Sequence, residues 1–168
     1  MNNNKFSFKD GLVHRLRSQF GYGLSQTPQG YLLATRRNIG PFGGLSVFCI
    51  GNADGQTETL QSITNFINST YDLGEEELRR VAKMSPVRSR VYFSVLVSES
   101  HFPEDLISIL KDTHENRNIF AYEIPVLVEA QPFKITKIFP WQFSGMGLFP
   151  VFWLHLRSVL KDTPISAR

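Results

Sequence analysis

Glu123 and Glu129 share the parity of one extended run, with Gln131 and Lys134 just beyond them. Acids and a base near one strand end are what a metal-dependent nuclease uses to hold cations against a phosphodiester. The spacing here is loose. A two-metal site also needs carboxylates from a second element, and Asp54, Glu58 and Glu99 are the unanchored acids on offer. Ser98-Glu99-Ser100-His101 places hydroxyls and an imidazole directly after the most strand-like stretch of the chain, where α/β proteins often hold functional loops. It lacks a G-x-S-x-G elbow, and its serines more simply cap the following helix.

Arg36 and Arg37 precede Gly40-Pro41-Phe42-Gly43-Gly44, so guanidinium forks and glycine N–H groups could surround a phosphate. The turn matches neither the P-loop nor the G-x-G-x-x-G fingerprint, and a strand follows it where both motifs require a helix. A hairpin turn is the simpler expectation. His14, His101, His114 and His155 are scattered, with no pair at metal-ligand spacing, so neither a metal nor a cofactor is expected. The single cysteine, Cys49, sits in an apolar run, which suits a buried thiol in a reducing compartment and rules out an intrachain disulfide.

Charge is segregated along the chain. Residues 1–20 carry Lys5, Lys9, Arg15 and Arg17 against Asp10, a net +3, and residues 131–168 carry five bases against Asp162, a net +4. The stretch between them has nine bases and thirteen acids, a net −4. Both basic ends are also rich in rings, notably Trp141, Phe143, Phe149 and Trp153 in the segment 140–168. Large rings complete cores, and they also form the centres of interfaces when flanked by a polar rim.

The elements that must position these groups follow from periodicity. Apolar residues from 12 onward recur at helical spacing, giving a short amphipathic helix within 1–22 that either packs on the core or serves as a docking arm. Residues 21–28 carry the glycines, proline and hydroxyls of a connection. Residues 31–39 and 45–50 read as a β-hairpin. Helices follow before and after Gly74, which is expected to interrupt them, and acids precede bases at i, i+4 in 75–82. Residues 91–97 are the clearest strand and should lie centrally. A helix begins at Pro103, and 119–130 is extended again, with Pro125 marking it as an edge strand or a bulge. Residues 133–138 continue or pair with that strand, and 151–160 form a last helix.

These elements predict one α/β (or α+β) domain over 1–168: a mixed sheet with an N-terminal hairpin and a βαβ unit, and helices packed on the sheet. The leading functional expectation is a cytoplasmic, non-catalytic assembly subunit or adaptor that docks on a protein partner or on itself. Its apolar anchors are Trp141, Phe143, Phe149 and Trp153, with Arg15 and Arg17 as steering charges. The alternative is a nucleic-acid-binding accessory or weak nuclease with Arg36, Arg37, Lys134 and Lys137 on phosphates. A hydrolase built on residues 98–101 is a third expectation. The run 143–156 is interrupted by Gly145, Gly147, Pro150 and His155 and is too short to span a bilayer, although it could lie on one. No secretory h-region follows Met1, so export by that route is not expected.

Overall fold

The computed structural model describes residues 8–39, 44–55, 57–82, 89–115, 121–130, 133–138 and 149–161. In chain order the elements are α1 (Phe8–Ser18), β1 (Gly23–Gln26), β2 (Leu32–Ile39), β3 (Gly44–Ala53), α2 (Leu60–Ala82), β4 (Arg90–Ser98), α3 (Glu104–Thr113), β5 (Ala121–Ala130), β6 (Phe133–Lys137) and α4 (Phe149–Lys161).

β3, β4 and β5 are mostly apolar and are buried at almost every position, so both faces of each strand are covered. They form the parallel centre of a six-stranded sheet whose spatial order, β1-β2-β3-β4-β5-β6, is also the order of the chain. Antiparallel pairs flank this centre, β1 and β2 on one side and β6 on the other. The expected hairpin over 31–50 is β2–β3, and the expected βαβ unit is β4-α3-β5. A second crossover, β3-α2-β4, lay hidden because Gly74 suggested a broken helix.

Side chains alternate across the sheet, and two cores result. Phe48, Ile50, Phe93, Val95, Ile124 and Val126 face α1 and α4. Val47, Cys49, Tyr92, Leu96 and Leu127 face α2 and α3. The molecule is therefore a three-layer sandwich with one helical pair on each side. In α1, Leu12 and Leu16 are fully buried, so this helix belongs to the core and is not a detached arm. The Cys49 thiol is free and fully buried, and burial pushes its pKa up to about 11.

Three details depart from the expectations. Residues 23–26 form a short edge strand where only a connection was expected; Gly21 enters it at a positive φ of 66° and Gly30 turns out of it at 83°. β5 is interior, not an edge. Ile138 donates to the Pro125 carbonyl at 2.9 Å, so the missing proline N–H points toward β6 just beyond its last paired residue, where the ladder has ended. α2 runs unbroken through Gly74, whose bare Cα admits the Tyr92 ring. The Tyr92 hydroxyl and Arg90 Nε both donate to Glu75 Oε1, at 2.8 and 2.7 Å, fastening α2 to the start of β4.

A Cβ at position 74 would meet Tyr92 ring carbons at 2.5 to 2.8 Å. Gly74→Ala should therefore lower unfolding free energy by ~1–2 kcal/mol in urea titrations, the overpacking penalty exceeding the ~1 kcal/mol gained in helix propensity. A rise of about 1 kcal/mol, the propensity gain alone, would show that the ring yields without strain.

Candidate interaction site

Two of the side chains expected to dock lie outside the described residues: Trp141 and Phe143. Phe149 begins α4, and Trp153 is half-buried one turn further on. Lys137 Nζ sits 4.4 Å from the centroid of the Trp153 ring, a cation–π contact, and burial followed by the nearby Arg157 lowers its pKa. The next residue, Leu154, is 58% exposed.

Arg15 is placed differently from the steering charge expected of it. It is 6% exposed, and its Nη2 donates to the Ser158 carbonyl at 3.0 Å. That oxygen is among the last four of α4, which lack intrahelical partners. The signal was present in the spacing: position 15 falls three residues after Leu12, on the apolar stripe of its helix. Arg17, on the opposite side, is exposed as expected.

The two basic ends therefore meet. Besides the Arg15–Ser158 bond, Phe20 packs edge-on against His155 at 5.6 Å and Phe8 against Phe133 at 5.4 Å. Together α1 and α4 carry Lys9, Arg15, Arg17, Arg157 and Lys161 against Asp10, a net +4. On the far side of the sheet, seven carboxylates of α2 and α3 stand against Arg79, Arg80 and Lys111, a net −4. The sandwich is electrically polar across its sheet.

The four groups expected on phosphates are not gathered on one surface: Arg36 and Arg37 line one cleft, and Lys134 and Lys137 lie away from it. Alternation along β2 turns Arg36 toward the α1/α4 layer and Arg37 toward α2, where it donates to the Val81 carbonyl. Alternation along β6 likewise sends Lys137 to one side and Lys134 to the other. Arg36, Arg37 and Arg80 do line one cleft of about 370 Å³, but Arg80 is already held by Glu77. Glu123 and Glu129 are six residues apart on β5, about 20 Å, too far to share an ion. Among the described residues no group of three or more His, Cys, Asp or Glu is placed to hold a metal.

At the carboxyl ends of the parallel strands the loop 98–101 is tightly tied. Ser98 Oγ accepts the Gly55 and Ser100 N–H groups at 2.8 and 3.0 Å, and Ser100 Oγ donates to Asp54 Oδ1 at 3.0 Å. Gly55 is required there, since a Cβ would lie 2.7 Å from the Ser100 and His101 carbonyl oxygens. The buried Glu129 accepts the Phe102 N–H at 2.8 Å; His101 Nδ1 is 3.4 Å from the same oxygen, and Lys134 Nζ is 3.9 Å from the other. A buried carboxylate behind an exposed imidazole is a general-base arrangement in outline. Both serine hydroxyls are engaged in joining loops, so the segment presents no free nucleophile.

Family models, curated proteins and solved structures offer no match to this chain. Among the described residues no helix is long and apolar enough to cross a membrane.

Inside the α1/α4 layer runs a polar chain that the sequence did not advertise. The Tyr22 hydroxyl donates to Ser46 Oγ at 2.7 Å and lies 2.6 Å from His155 Nε2. Burial, with a smaller contribution from Arg36, pushes the His155 pKa from 6.5 down to about 4, while burial raises that of Tyr22. The imidazole is thus neutral in the fold, and the unfolded chain takes up its proton first as pH falls. Its contribution to stability is full above 6.5 and is lost between 6.5 and about 4. The melting temperature should fall through the upper part of that window, and His155→Gln should flatten the fall; an identical profile in the variant would remove His155 as the cause.

Proposed function

We propose that this chain is a non-catalytic interaction subunit that docks on an acidic protein surface through its α1/α4 layer. Leu154 and Trp153 form the apolar centre, and Arg17, Lys137 and Arg157 form the basic rim. The observation that carries the reading is the convergence of the two basic, ring-rich chain ends into one layer held by the Arg15–Ser158 bond. A large exposed Leu beside a half-buried Trp is the composition of an interface centre, and flanking cations favour encounter with carboxylates. A free, buried Cys49 suits a reducing, cytoplasmic setting.

The nucleic-acid alternative draws less support, because Lys137 and Lys134 lie on opposite sides of the sheet and the cleft that Arg36 and Arg37 share also holds Glu77, paired with Arg80. Binding of that kind would also fall steeply with salt.

The test is capture of a partner from nuclease-treated extract by the wild-type chain and by folded Leu154→Glu and Trp153→Ala variants. Wild type should retain a defined protein, and each variant should retain at least about tenfold less, the scale of a lost hot spot. Equal capture by all three would overturn the reading, and so would a parallel capture from untreated extract that retains mainly salt-strippable material absorbing at 260 nm.

A further inference from the structure

Two large apolar side chains stand exposed among the described residues, Leu154 at 58% and Ile109 at 45%, and they lie on opposite sides of the sheet. Leu154 belongs to α4, with Arg157 three residues on and the exposed Arg17 on the neighbouring α1. Ile109 belongs to α3, with Asp105 four residues before it and Asp112 three residues after it, both exposed and on the same helical face. One layer thus offers an apolar residue among bases, and the other an apolar residue among acids.

We infer that the acidic surface that the α1/α4 layer docks on is the α2/α3 layer of a second copy of this chain. This rests on the docking reading above and names its partner. Charge decides the mode of pairing. An isologous dimer would set a +4 layer against a +4 layer or a −4 layer against a −4 layer, bringing like charges together in the contact. A heterologous contact sets Leu154 beside Ile109 and places Arg17 and Arg157 opposite Asp105 and Asp112. The two layers are the two outer faces of one sheet, so each added copy leaves a free basic layer at one end and a free acidic layer at the other. Assembly of this kind is open-ended.

Sedimentation velocity and light scattering of the full-length chain over a concentration series test this directly. At low ionic strength the weight-average mass should rise with concentration past that of a dimer without a plateau, and at high salt it should return to the 19.2 kDa monomer. Arg17→Glu with Arg157→Glu, and separately Asp105→Lys with Asp112→Lys, should each remain monomeric at low salt. Mixing the two variants should restore association, which a merely misfolded variant could not do; circular dichroism confirms that each is folded. A wild-type chain that stays monomeric at low salt overturns the inference, as does a salt-resistant dimer that stops growing, or association that survives in both charge-reversed variants. If the wild type is monomeric yet still captures a different protein through Leu154, self-assembly falls and the docking reading stands; loss of both removes both.

Discussion

The central strands β3, β4 and β5 are buried on both faces, and the rest of the fold answers that constraint. A strand buried on both sides must have helices over both sides, and each large side chain so covered contributes about 1.5–3 kcal/mol. Phe48 and Phe93 stack at 4.3 Å under α1 and α4, while Tyr92 reaches through the gap at Gly74 on the opposite side. Because the sheet separates the two helical pairs, each pair keeps its own charge. Net +4 lies on one side and net −4 on the other, with the low-dielectric sheet between them.

Several of the polar groups that enter the sandwich are received by a partner from another element. Arg15 is buried because a helix terminus offers it a carbonyl, and Tyr22 because Ser46 and His155 complete a short chain. Glu75 joins Arg90 to Tyr92, so the buried phenol ends on a carboxylate. Each of these sets links two elements distant in sequence, which gives the packing of helices on the sheet a fixed register in addition to apolar attraction. Glu129 acts similarly for the loop ahead of α3, through the Phe102 N–H.

The strands that are buried on both faces were legible in the sequence because unbroken β-branched and aromatic runs have few other uses. β4 and β3 were legible for this reason, the β2–β3 hairpin from the glycine-rich turn between two extended runs, and the α3 crossover from Pro103 at its start. What was not legible depended on contacts between remote residues. Gly74 reads as a breaker until Tyr92 is known to fill the space above it. Pro125 reads as an edge residue until Ile138 shows where the missing donor falls. The site divided in the same way. Basic, ring-rich ends were visible in composition, but their meeting depends on two helices more than a hundred positions apart. The exposure of Leu154 and Ile109 could not be seen either, since a helix pattern does not say which flank its neighbours leave open.

The agreement between strand order in space and strand order in the chain bears on how the protein acquires its structure. Among the described residues no strand is inserted between two earlier ones, and every pairing joins consecutive strands. Loop closure is therefore needed only over single connections, the longest of them containing α2. Such a sheet can lengthen from its amino-terminal edge as synthesis proceeds, each emerging strand finding its neighbour already in place. The α1/α4 layer is the exception. α1 precedes every strand and α4 follows every strand, so the cover over one face of the sheet is complete only after β6 has been made, and until then that face is the one exposed to misassociation.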